Sequence, residues 1–363
     1  MKRTHLYDEH KKLNAKFTDF CRWEMPLHYS SIMDEHNAVR TAAGMFDTSH
    51  MGTFIVSGNN AEAFLNRNTL GNISGLNENK ARYSMILNEK GGVKDDIIVY
   101  NTGGGEYMVV VNAVNLEKDF EWLNKNKPFG AGLKNISDTI CLLAVQGPKS
   151  AEILQGICET DISGMKYFSV SPLKLKDITA EFLKIARTGY TGEDGFEIFI
   201  SKEAAPALWE KLISLSVKPC GLGCRDTLRL EACMPLHGHE ISENINPLDA
   251  GFQKNINWKN DFIGKTALLP FKDKPLKKSA AFECLTGIAR NKEIVYCGRK
   301  EVGFVTSGTF SPTFKKAIGM ALIDFDTDTA DLEVSIRGKN RKITVLEKPI
   351  YKRIKYDGSM DSK

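Results

Sequence analysis

The chain has 363 residues, 42% of them hydrophobic and 26% charged, and a net charge of +4. That length exceeds one ordinary core, so two or three domains of a globular protein are expected, and the mild charge carries no nucleic-acid signature. No apolar run reaches the length of a membrane span, and Met1-Lys2-Arg3-Thr4-His5 leads into no apolar signal core. A cytoplasmic protein is expected, or an organelle-matrix one with its transit segment removed.

The first fifty residues read as a polar helical segment, then CRWEMPLHYS, then IMDEHNAVRTAAGMFDTSHMG. In the last of these Ile32, His36 and Val39 recur at helical spacing, with Gly44 as the stop. The texture changes at Met51. GTFIVSG reads as a strand, NNAEAFLNRN as a helix with an Asn cap, and Tyr83–Tyr100 as a hairpin around Asn88-Glu89-Lys90-Gly91-Gly92. EYMVVVN is another strand, AVNLEKDFEWLNKN an amphipathic helix and GLKNIS a last strand. Residues 51–136 thus form an α+β unit inserted into a first domain made of 1–50 and 137–250. That domain resumes with ICLLAVQGPKSAEIL (strand, turn, helix), two strands in FLKIARTGYTGEDGFEIFIS, and an amphipathic helix with Leu208, Leu212 and Leu215 on one face. Residues 251–278 read as a connecting segment, charge-rich from Phe271 to Lys278, and 279–363 as short strands of a β-rich third domain.

Several patterns carry possible chemistry. In the hairpin, Asp95-Asp96 precede Ile97-Ile98-Val99-Tyr100, although aspartate is depleted in strands. Alternation puts Asp96, Ile98 and Tyr100 on one face and Asp95, Ile97 and Val99 on the other. Both acids could be solvated turn residues; alternatively one stands against an aromatic wall with its proton affinity set by burial. RTGYTGEDGFEI lacks the ending of a phosphate-binding loop, but Tyr190 and Glu197 suit a small heteroaromatic ligand. CRDTLRLEA sets Arg225 and Arg229 on one helical face, for ion pairing or for an anion. The eight cysteines contain no C-x-x-C pair; Cys220 and Cys224 lack a second pair for a metal, and free thiols fit best. His237-Gly238-His239-Glu240 lacks a third metal ligand, and the contiguous Asp47, Ser49 and His50 cannot fold back into a triad.

Taken together, WEMPLHY, EHNAVRTAAGMFDTSHMG, LNEKGGVKDDIIVY, AVQGP, RTGYTGEDGFEI, KPCGLGCRDTLRLEACMPLHGHE, DFIGK and VTSGTFSP resemble, in order and nearly end to end, the glycine cleavage system T-protein family. The resemblance implies an α+β fold of three domains in a cloverleaf around a folate channel, with a β-rich, barrel-like C-terminal domain. It implies a tetrahydrofolate-dependent aminomethyltransferase of glycine catabolism and one-carbon metabolism. Such an enzyme moves the one-carbon unit from S-aminomethyldihydrolipoyl H-protein to tetrahydrofolate, a co-substrate, with no metal. The lipoylated H-protein is then the expected partner, with neither nucleic acid nor membrane. Carried over by position, Asp96 matches the catalytic carboxylate. Met51, Tyr83, Ile98, Tyr100, Val110, Asn112, Phe168, Tyr190, Glu197, Arg229 and Arg353 match folate-site positions. Asp95, on the opposite face, is expected to matter little. Arg22 replaces a usual Gly, Cys224 an Ala, and His237 a common Tyr. The alternative is a related tetrahydrofolate-dependent demethylase acting on a small methylated donor.

Overall fold

The computed structural model describes residues 1–353. Its strands form one six-stranded sheet, one five-stranded sheet, a closed six-stranded barrel and a small N-terminal hairpin, with helices packed on them. This is the α+β architecture with a C-terminal barrel that the sequence predicts.

The five-stranded sheet is antiparallel throughout, in the order Lys80–Leu87, Val93–Gly103, Glu106–Val111, Gly52–Ser57, Gly132–Asn135. Its two faces have different partners. Phe54, Val56, Ile97, Val99, Val109 and Val111 pack under the helices Ala61–Asn68 and Leu116–Lys125. Tyr100, Met108 and Val110 face the other sheet, against Leu142, Val170, Ala186 and Phe199. Strand alternation therefore sends Asp95, Ile97 and Val99 toward the helices and Asp96, Ile98 and Tyr100 into the seam between the sheets. The hairpin turn depends on both glycines, for different reasons. Gly91 takes φ +84°, whereas a Cβ on Gly92 would lie 1.8 Å from the Glu243 carbonyl oxygen.

The six-stranded sheet runs Val170–Pro172, Leu183–Ala186, Gly195–Ser201, Ile140–Gln146, Gly44–Asp47, Lys218–Pro219. Only the short last pair is parallel. Gly44 opens a strand here; the helix before it, Ile32–Thr41, closes on Ala42. The glycines of RTGYTGEDG serve packing, because a Cβ on Gly189 or Gly195 would strike the Gln146 side chain at 2.0 and 2.5 Å.

The barrel, Lys277 to Leu346, begins inside the stretch read as a connector. Residues 251–276 are no free linker either. Ile256, Phe262 and Leu268 are buried with Met85, Leu87 and Val93 at the turn end of the hairpin. The charge-rich composition hid this, since the apolar anchors are widely spaced among lysines. Two smaller expectations also fail. Leu215 lies 39% exposed beyond the Ala205–Ser214 helix, whose Leu208 and Leu212 are buried. Asn60 makes no side-chain cap; its amide donates instead to the Phe129 carbonyl at 2.8 Å. Arg22 has φ +67°, a left-handed turn position natural for the Gly that the family pattern has there.

The Leu222–Glu231 helix ties the bodies together. Glu231 accepts from Arg40 (2.8 Å), Ser311 and Thr313 and lies 3.2 Å from His36, so helix, N-terminal segment and barrel share one carboxylate. This concentration of donors holds its carboxyl down to about 2 despite burial.

Candidate active site

The candidate residues gather at the seam where the even-numbered face of the hairpin meets the six-stranded sheet. Asp96 sits near the start of Val93–Gly103 and pairs with Met85 across the hairpin. Tyr83 is opposite Ile98, so its ring crosses diagonally and its Oη donates to Asp96 Oδ2 at 3.1 Å. On the other side, Ile98 pairs with Val110; continuing that register puts Asn112 opposite Asp96, and Asn112 Nδ2 donates to Asp96 Oδ1 at 2.8 Å. Burial, then the nearby Asp95 charge, raise the Asp96 carboxyl to about 7, against the lowering effect of those two donors. This carboxyl changes charge near neutrality.

Asp95 is not solvated. It is fully buried on the helix side, and its Oδ2 accepts from the Asn112 backbone N–H at 2.8 Å. Its Oδ1 accepts from Asn112 Nδ2 at 3.0 Å and from Asn115. Asn112 thus joins the two acids, donating to both.

Two turns of pleat further on, Tyr100 is fully buried and its Oη donates to Glu197 Oε2 at 3.2 Å; Thr188 donates to the same oxygen. Four residues of strand separate Asp96 from Tyr100, about 13 Å at the usual rise. Asp96 and Glu197 therefore mark two ends of one seam. The Tyr100 and Thr188 hydroxyls thus both engage the Oε2 side of Glu197. Met51, Ile98 and Phe168 are partly buried along this seam, packed with buried Val110. Phe168 has φ +57° and meets Tyr167 edge-on at 4.8 Å.

Tyr190 comes from the glycine-rich loop. Its Oη donates to the Pro235 carbonyl, and burial pushes its phenol above the ordinary range. The Arg225 guanidinium lies over its ring at 4.6 Å. Here the geometry differs from the positional transfer. Arg229 is 2% exposed and committed to Asp226 (2.8 Å), Glu240 (3.0 Å) and Ser307 (2.9 Å), bracing the helix against the barrel. Arg225, one turn earlier, has no ion pair or side-chain hydrogen bond among the described residues, and its charge feels Tyr190 and Glu197. The i, i+4 spacing revealed the pair, but only packing shows which member is free. Arg353 stands 3.6 Å from Asp194, near the same loop.

Other groups singled out in the sequence have structural employment. Asp47 holds His10 at 2.9 Å and the Ser49 N–H at 2.9 Å, and Ser49 Oγ accepts from Leu142, so no triad forms. His237 meets the Val93 carbonyl at 3.3 Å, and His239 the Thr306 carbonyl at 3.0 Å. Burial holds the His237 imidazole below its ordinary value. Glu35 gathers with Cys220 and Cys224, their ligand atoms within 4.8 Å, but its oxygens accept backbone N–H groups of Tyr29, Ser30 and Gly221. All eight cysteines are free thiols. A groove of about 500 Å³ on the barrel, lined by Lys277, Glu301, Phe304 and Asp324 among others, contains none of these residues.

Known proteins share this architecture. Residues 6–260 match the family described as GCVT N-terminal domain, and residues 277–352 the Glycine cleavage T-protein C-terminal barrel domain. The chain belongs to the glycine cleavage T-protein family. It is 45% identical to an aminomethyltransferase of Geobacillus sp. (strain WCH70) over 98% of this chain and 100% of that one. It is 46% identical to one from Caldanaerobacter subterraneus subsp. tengcongensis over 97% and 96%. The crystal structure of glycine cleavage system aminomethyltransferase T from Bartonella henselae superposes with a TM-score of 0.90 at 32% identity, covering 96% of this chain and 98% of that one. This T-protein family member is accordingly an enzyme, a transferase of the aminomethyltransferase class. Among the described residues, no helix is long and apolar enough to cross a membrane.

Proposed function

We propose that this enzyme transfers the one-carbon unit of S-aminomethyldihydrolipoyl H-protein to tetrahydrofolate in the cytoplasm. The products are 5,10-methylenetetrahydrofolate, ammonia and dihydrolipoyl H-protein. The observation that carries the reading is Asp96: a carboxyl raised to about 7, oriented by Tyr83 and Asn112, on a rigid strand whose same face leads to Glu197. Tetrahydrofolate supplies the nucleophilic amine. The chain's own groups do the rest. Glu197 Oε1 accepts from ring N–H and amino groups, Tyr190 and Tyr83 wall the flat ring, and Arg225 offers a guanidinium to an electron-rich or anionic part of the ligand. Arg353, Met51, Ile98, Tyr100, Val110 and Phe168 complete the wall.

Asp96, when ionised, takes the proton that leaves the attacking amine and offsets positive charge at the one-carbon centre. The Tyr83 and Asn112 hydrogen bonds keep its oxygens aimed as it changes charge. The test is H-protein-dependent release of ammonia on addition of tetrahydrofolate, with ring binding followed by fluorescence in Glu197→Gln. Transfer without H-protein, or undiminished ring affinity in that variant, would contradict the assignment.

A further inference from the structure

Beneath the site lies a carboxyl group that the reading above does not use. Asp119 projects from the first turns of Leu116–Lys125, is fully buried, and faces the Asp95 carboxyl. Neither of its oxygens meets an N–H or O–H donor among the described residues. Asp95, by contrast, accepts three N–H bonds, from the Asn112 backbone, the Asn112 amide and the Asn115 amide. Two carboxylates cannot bond each other; the contact is a hydrogen bond only when one carries a proton. Three donors favour the charged form of Asp95, and their absence favours the neutral form of Asp119.

Asn115 points the same way. It occupies the N-cap position of the helix yet makes no side-chain cap bond, because its amide is turned to Asp95. The helix N-terminus itself favours negative charge at Asp95. The nearby cations are engaged elsewhere. Lys118 Nζ bonds the Lys94 carbonyl and Glu243, each at 2.9 Å, and Lys94 lies 4.5 Å over Trp122 and 4.0 Å from Glu243. On the Asp95 side stand Asp96, Tyr83 and His237.

We propose that Asp119 is a proton-bearing positioning residue, whose neutral carboxyl donates to Asp95 and so keeps Asp95 the charged neighbour that sets the proton affinity of Asp96. Burial pushes the Asp119 carboxyl well above its ordinary value, with Asp95 adding to the rise, in keeping with this assignment.

The test uses the full chain with aminomethylated H-protein and tetrahydrofolate, comparing Asp119→Asn with Asp119→Leu. An Asn amide replaces the O–H donor, so its pH–rate profile should follow the wild type. Leu removes the donor, so Asp95 takes up a proton more readily and the acid limb set by Asp96 should fall by about one pH unit, a tenfold change in proton affinity. An unmoved limb in Asp119→Leu, or an equal shift in both variants, overturns the proposal. Infrared difference spectra give a readout independent of folding of the Leu variant and of the transferase reading on which the rate assay rests. At about pH 9, two units above the Asp96 value, one protonated-carboxyl band should persist in the wild type and vanish in Asp119→Asn. Absence of that band in the wild type also overturns it, whatever the enzyme's activity.

Discussion

Asp96→Asn separates what this residue does for the reaction from what it does to the fold. The rise of its carboxyl from 3.8 to about 7 means that the folded protein disfavours the charged form by about 4 kcal/mol, at about 1.4 kcal/mol per tenfold change in proton affinity. Because the folded value is raised, the stability linked to the protonated form is complete below the ordinary value. It is lost as pH climbs from 3.8 toward 7. Asparagine is neutral throughout and of the same shape, and its Oδ1 can still accept from Tyr83 or its Nδ2 rotate toward solvent. The variant should therefore match the wild type in stability near pH 4 and exceed it by about 2–4 kcal/mol near pH 8. Turnover should fall by about 10²-fold, the usual loss for a proton-transfer group, while tetrahydrofolate affinity stays within about threefold. Denaturant midpoints at several pH values, single-turnover transfer and folate titration measure the three quantities. A stability increment that does not change with pH, or near-normal turnover, would refute the claim that a buried charge is held here for catalysis.

Wild-type kcat/KM should drop tenfold per unit below about pH 7 and level off above it, since the ionised form of Asp96 is the reactive one. Asp95→Asn should move that limb to lower pH, because the Asp95 charge contributes to the rise at Asp96. The two arginines should part company. Arg225→Gln should weaken ligand binding about tenfold with little change in thermal midpoint. Arg229→Gln should cost about 3–5 kcal/mol of stability by stranding the buried Glu240, read by chemical denaturation. Glu231→Gln should loosen the barrel's docking on the Leu222–Glu231 helix, detectable as faster proteolysis between residues 251 and 276. The wild-type contribution of Glu231, present above its ordinary 4.5, should fade as pH falls toward about 2. Arg22→Gly should raise the thermal midpoint, since relieving a left-handed non-glycine residue is worth about 1 kcal/mol.

Local chemistry was legible along the chain. Alternation around Asp95 and Asp96, the glycine turn before them and the apolar runs flanking them determined a hairpin with one acid per face, because strand parity needs no information from distant residues. The motifs likewise determined the family and hence the sheet-and-barrel plan. Tertiary structure alone decided which groups are free. Arg225 and Arg229 are equivalent by spacing, and only the approach of Glu240 and Ser307 commits one of them. Asp95 looked like a turn residue until Asn112, Asn115 and Asp119, distant by up to 24 residues, closed over it. Proton affinity follows the same rule: it depends on solvent excluded and donors supplied by the whole fold, and neither quantity is written in the residues next to the carboxyl.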